Sequence, residues 1–165
     1  MLRFMVLLMK KNNSLSDRAT ATRQTSVGWM IQRLARMLER QMTDRLSEFG
    51  LKIDHFIILM NLSERENVTQ TELGDGISMP NYAITRALDH LEGEGLVERR
   101  PDATSRRSHR VFLTKAGTQL MPSLFATVKT VNETFLAPLP DAQRADLAQI
   151  LMTLMDPNDQ TKLPG

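Results

Sequence analysis

Residues 78–114 read SMPNYAITRALDHLEGEGLVERRPDATSRRSHRVFLT, and this stretch decides the fold. Ser78 is a helix-capping residue type, and Pro80 sits where a first turn tolerates a missing N–H. Ile84, Leu88 and Leu91 recur at steps of four and three, the inward stripe of an amphipathic helix. That leaves Asn81, Tyr82, Thr85, Arg86 and Asp89 outward, and Gly93 and Gly95 end the helix. Leu96–Arg100 and Ser108–Leu113 have strand character, and Pro101-Asp102 gives the joining loop 101–107 its turn chemistry. A short helix followed by an Arg-studded hairpin can put one element into a DNA major groove and the other on the backbone. Double-stranded DNA is therefore the leading partner.

Charge distribution supports this more than total charge does. The chain of 165 residues has a formal net charge of only +2, yet residues 99–110 hold five Arg against one acid, Asp102. A hydrophobic content of 41% suffices for a packed core in one domain, and Met fills irregular space within it. The chain contains no Cys, which excludes disulfides, thiolate metal sites and thiol switches, and fits a cytoplasmic protein. The apolar start MLRFMVLLM is too short to span a bilayer, so no membrane association is expected. It has only Arg3 ahead of its apolar run, which argues against a signal peptide. Two readings remain for it: a flexible or partner-packed arm, or a misplaced start.

The flanks are helical. Residues 10–25 are polar and predict an irregular lead-in. Val27, Ile31, Leu34, Leu38, Met42, Leu46 and Phe49 form one stripe on a long helix closed by Gly50, and a second helix is predicted over 53–64. Thr69-Gln70-Thr71-Glu72 has capping-box form and opens a short helix to about residue 76, which Gly74 and Gly76 weaken or end. After the hairpin, Thr114 caps a helix striped by Leu120, Leu124, Val128, Val131 and Phe135. Asp141 caps a last one carrying Leu147, Ile150, Leu151 and Leu154. Striped helices at both ends need a partner surface, which a second copy of the chain supplies most economically. The fold class is mainly α with a small β-hairpin wing: a winged helix-turn-helix core flanked by N- and C-terminal dimerisation helices. Its expected organisation is a flexible arm (1–25), an N-terminal dimerisation helix (26–50), the winged helix-turn-helix (51–114), C-terminal dimerisation helices (115–156) and a tail (157–165).

These pieces together resemble the MarR family of bacterial transcription regulators over residues 26–156. The likeness rests on the turn and helix Thr69–Gly76, the helix Ser78–Leu91 running into Glu92-Gly93-Glu94-Gly95-Leu96-Val97, and the wing Arg100-Pro101-Asp102 with Arg106-Arg107. Leu113-Thr114-Lys115-Ala116-Gly117 follows at the family's distance. The resemblance implies an obligate, triangular homodimer on a palindromic operator. It also implies small aromatic effectors, bound between the dimerisation helices and the winged domain, that release the DNA. The chain departs from the family at Ser105, where an acidic residue usually precedes the paired Arg. The ion pair that buttresses the wing is then either missing or supplied by Asp102. The absence of Cys excludes the subgroup that senses peroxide through one.

Each candidate has a plainer alternative. Arg106 and Arg107 could be solvated charge, but at the tip of a wing they suit the negative potential of a minor groove. Asn81 and Arg86 suit adenine and guanine edges, while Tyr82 and Thr85 suit phosphate. Ser78 is first a cap and secondarily a phosphate ligand; His109, in the wing, is a DNA or backbone contact. Trp29 and Arg33 on the first long helix, with His55 and Phe56 on the second, are candidates for an effector cavity, the alternative being dimer core. His55, His90 and His109 are scattered in sequence, so neither a metal nor a cofactor is expected. No Gly-rich phosphate loop, supported catalytic triad or paired-His zinc motif points to an enzyme. The function read from the chain is sequence-specific transcription regulation. The competing readings are a metal-sensing winged-helix repressor and a winged-helix protein-interaction module that does not bind DNA.

Overall fold

The predicted stripes of the middle of the chain close on one another in a computed structural model that describes residues 15–102 and 105–155, the side chains of Arg106 and Arg107 excepted. Helix α1 (residues 15–25) precedes α2 (Val27–Ser47), α3 (Ile53–Glu64), β1 (Val68–Thr69) and α4 (Gln70–Gly76). Then come α5 (Asn81–Gly93), β2 (Val97–Asp102), β3 (Ser105–Leu113), α6 (Lys115–Leu136) and α7 (Asp141–Met155). The core gathers Leu46 and Leu51 around the α2–α3 junction, Ile58, Leu59 and Leu62 of α3, and Leu73 of α4. Ile84, Leu88 and Leu91 of α5 join it as predicted, together with Val97, Val111 and Leu124. All three α5 residues are fully buried, so this helix is anchored by hydrophobic burial along one face.

The sheet has three antiparallel strands in the order β1-β3-β2. Val97 faces Leu113 and Arg100 faces Arg110, and pairing continues with an irregularity to Asp102 opposite Ser105. The strands therefore extend well into the stretch 101–107 that turn chemistry predicts as a loop. Residues 103 and 104, which join them, lie outside the described residues. β1 adds two residues to the far side of β3, Val68 opposite Val111. A strand of two residues has too little alternation to be read from sequence.

The helix ends explain most other boundaries. Gly50, with φ near +70°, ends α2 as predicted, the Leu51 N–H reaching back to the Leu46 carbonyl at 3.0 Å. Thr69 and Glu72 form the reciprocal capping box of α4: the Thr69 N–H donates to Glu72 Oε2 at 2.7 Å, and the Glu72 N–H to Thr69 Oγ1 at 3.2 Å. Hydrogen bonding from Thr69, its backbone N–H foremost, holds the Glu72 carboxyl below its usual pKa. Thr114 caps α6, accepting from the Gly117 N–H at 3.0 Å and donating to the Gly95 carbonyl at 2.6 Å. Gly117 permits that junction, since a Cβ there would lie 2.1 Å from the Leu96 carbonyl oxygen.

Three expectations are corrected. Residues 15–25, predicted irregular, are helical; hydroxyls of Thr22 and Thr25 donate to carbonyls four residues back, and a mostly exposed helix needs no apolar stripe to reveal it. Gly74 does not end α4 but lies buried inside it, where a Cβ would come within 3.2 Å of the Met79 carbonyl oxygen. Asp141 is the first residue of α7 rather than its cap, and pairs with Arg144 at 3.3 Å. Residues 1–14 and 156–165, which include the apolar start and the tail, lie outside the described residues. Among the described residues, no helix is long and apolar enough to cross a membrane.

Candidate nucleic-acid interface

The interface is built on the turn between α4 and α5. Ser78 has φ near +53° and occupies the left-handed position that stops α4: its N–H donates to the Asp75 carbonyl at 3.3 Å and the Met79 N–H to the Gly74 carbonyl at 2.9 Å. Ser78 therefore does not cap α5. Pro80 does so, with no side-chain cap bond, and the Ile84 N–H reaches the Pro80 carbonyl at 3.1 Å. No side chain of the cap occupies the N-terminus of α5, the polarity that attracts phosphate.

Asn81, Tyr82, Thr85 and Arg86 are all exposed on α5, Tyr82 at 72%. Thr85 is held from both sides, accepting from Gln70 Nε2 of α4 at 2.6 Å and donating to the Asn81 carbonyl at 2.9 Å. This bond ties the two helices of the motif at their exposed edge. Among the described residues, the side chains of Tyr82 and Arg86 have no hydrogen-bond or ion-pair partner and stay available to a ligand.

The other Arg residues are already engaged. Arg99 of β2 bridges to Glu92 at 2.6 Å and Asp89 at 2.7 Å on α5, and its backbone N–H also donates to Glu92. It thereby locks β2 to α5. Arg100 pairs with Glu98 and lies over the Phe112 ring at 4.4 Å. Arg110 meets the buried carboxylate of Asp102 at 3.0 Å and donates to the Asn67 carbonyl at 2.8 Å. This is the wing buttress that Ser105 does not supply. His109 is exposed on β3 opposite Pro101, beside a groove of about 400 Å³ shared with Gln70, Thr85 and Arg99. The paired Arg106 and Arg107 belong to β3, and their side chains lie outside the described residues.

Sequence reasoning missed the roles of Gln70, Arg99 and Asp89, because long-range pairs leave no periodic signal. It also placed His55 only as an effector candidate. His55 is buried at the start of α3, where Nδ1 accepts the Lys52 N–H at 3.1 Å, and its ring stacks on that of His90 at 4.2 Å. Burial, then the neighbouring His90 and Lys52, push its pKa down. The four effector candidates are not gathered in one place. Phe56 lines a largely apolar cavity of about 370 Å³ with Leu38, Met42, Ile57, Met60 and Val128. His55 borders a different one with Tyr82 and Arg86, and Trp29 packs against its own helix neighbour Arg33 at 5.7 Å.

A family model described as MarR family matches residues 49–108, from just after α2 to within β3. The chain is 28% identical over 128 residues to the HTH-type transcriptional repressor Rv2887 of Mycobacterium tuberculosis, spanning 78% of this chain and 92% of that protein. A solved MarR transcriptional regulator from Methanosarcina mazei Go1 matches at TM-score 0.74 and 27% identity, over 82% of this chain and 97% of that one. Over these spans the chain is similar to MarR family proteins. The proteins it matches are named as transcription regulators, one of them an HTH-type repressor. A MarR family structure of Rv2887 in complex with salicylic acid also matches, at TM-score 0.66 and 28% identity over 79% of this chain and 96% of that one.

Proposed function

We propose that this protein is a MarR-type transcription regulator that acts as a homodimer on a palindromic operator. Each subunit lays α5 in a major groove, reading bases with Asn81 and Arg86 and holding phosphate with Tyr82, Thr85 and Ser78. The wing follows onto the flanking minor groove with Arg106, Arg107 and His109, the half-sites lying about one helical turn apart, ~34 Å. The observation that carries this reading is the exposed face of α5, where Arg86 is free while Arg99, Arg100 and Arg110 are neutralised by acids of the chain. A DNA-reading cation must be uncommitted before the DNA arrives.

Dimerisation is supported by apolar surface exposed among the described residues. Val27, Ile31 and Leu34 of α2, and Ile150, Leu151 and Leu154 of α7, are exposed, and α7 buries no residue at all. An aromatic-acid effector is supported by the salicylic acid complex of Rv2887 and by the apolar cavity at Phe56. Such an effector releases DNA by its differential affinity for a dimer whose recognition helices are wrongly spaced. Action on DNA places the protein in the cytoplasm.

Salt dependence tests the DNA reading and separates it from a winged-helix module that binds only protein. Changing Arg106 and Arg107 together to Ala should flatten the slope of log K against log salt by about 0.9 per lost phosphate contact, roughly 3.6 over four contacts in a dimer. Binding of duplex that does not respond to salt, in the wild type, would overturn the reading.

A further inference from the structure

A pair of histidines that the DNA-reading face does not use lies directly behind it. His55 of α3 and His90 of α5 stack with ring centroids 4.2 Å apart and planes inclined by 14°. His90 follows Arg86 by four residues, one turn along the same face of α5. A cavity of about 460 Å³ is lined by both histidines, Tyr82 and Arg86, so the pair borders the DNA-reading side chains and water can reach it. The structure also specifies one protonation state. His55 Nδ1 accepts the Lys52 N–H and thereby completes the N-terminal cap of α3, where Lys52 itself makes no side-chain cap bond. An imidazole that accepts at Nδ1 cannot carry a proton there.

We propose that His55 is a positioning residue for DNA reading: neutral, it holds the recognition helix against α3 through His90, and proton uptake loosens that hold and lowers operator affinity. The proposal rests on the DNA-reading role of α5. Protonation would set a second N–H at Nδ1 against the Lys52 N–H. It would also place positive charge at the N-terminus of α3, where the helix dipole opposes it. The titratable and charged groups that face His55 are Lys52 and Asp54 from its own end of α3, and His90 and Arg86 from α5, with the Tyr82 hydroxyl nearby. Asp54 alone favours the charged ring, and burial, His90 and Lys52 outweigh it. The folded-state pKa of His55 is therefore below its unfolded value. The contact contributes fully above the unfolded value of 6.5 and is lost as pH falls through the folded value.

The test uses the duplex that the wild-type protein selects from a random-sequence pool at about pH 7.5, with affinity measured there and near pH 5.5 at fixed salt. Two variants accompany it. His55→Gln keeps an acceptor at the third helical position, a residue type that caps there, but cannot be protonated. His90→Ala removes the stacked ring from an exposed helical position. Operator affinity of the wild type should fall on the order of tenfold towards acid, within the limit of about tenfold per pH unit for each coupled proton. His55→Gln should lose much less. His90→Ala should bind at neutral pH about as weakly as the wild type does at acid pH, and far-UV circular dichroism should show unchanged helix throughout. Exposed His109 is unchanged in all three proteins, so the comparison between them cancels whatever the wing contributes. Parallel pH profiles for wild type and His55→Gln, or His90→Ala binding like the wild type at both pH values, would overturn the positioning role alone. A wild type that selects no duplex would overturn the DNA reading and this proposal with it.

Discussion

Helices α5 and α7 carry apolar residues at similar spacing and end in opposite circumstances. In α5 the stripe Ile84, Leu88 and Leu91 is sealed inside the subunit; in α7 Ile150, Leu151 and Leu154 remain on its surface. Periodicity shows that a helix has a face to bury but not what buries it. The difference divides the molecule into a winged helix-turn-helix that one chain completes and terminal helices whose apolar residues stay largely exposed. Arg144 expresses that division: it closes the end of α6, donating to the Leu136 and Leu139 carbonyls at 3.1 and 2.8 Å, and so sets the start of α7 without burying its apolar side.

The largest effect is expected where the subunit closes on itself. Leu88→Ala should cost about 2–5 kcal/mol of stability, read by denaturant unfolding, because the surrounding core cannot collapse onto the space left. A loss below 1 kcal/mol would mean that α5 is loosely seated and the contrast with α7 is overstated.

Leu151→Asp should do the reverse, sparing the winged domain and breaking the assembly. A charge buried in a dimer seam costs several kcal/mol, which raises the dissociation constant by roughly a thousandfold. Sedimentation equilibrium should then show a monomer that retains its helical spectrum. A wild type that is itself monomeric at micromolar concentration would remove the dimer and the palindrome together.

The smallest effect concerns the turn that aims α5. A non-glycine residue in the left-handed region is strained by about 1 kcal/mol, so Ser78→Gly should raise thermal stability by up to that amount. A fall in stability would restore Ser78 as the cap of α5.

That turn also shows what was legible. Ser78 followed at two residues by Pro80 has the signature of a capped helix start, yet the chain spends Ser78 on ending α4 and caps α5 with Pro80 itself. One residue type serves both roles, and only φ separates them. The capping box at Thr69 and the stop at Gly50 were readable because each is local and satisfies specific backbone groups. The outward set on α5 was readable for the complementary reason, as the remainder of a clear stripe. The wing was harder: five Arg in sequence look alike, and the acids that engage three of them come from α5 and β2. The stacking of His55 on His90 joins residues 35 positions apart through tertiary packing alone, so no local pattern announces it.

The central claim is that the free side chains of α5 read bases, and selection of preferred sequences from a random duplex pool tests it most directly. The wild type should recover a palindrome with half-sites about one helical turn apart. Asn81→Ala and Arg86→Ala should each relax preference at symmetric positions of both half-sites, by about 1–3 kcal/mol per bidentate contact, with non-specific affinity nearly unchanged. Recovery of the same palindrome at equal stringency by both variants would contradict the account.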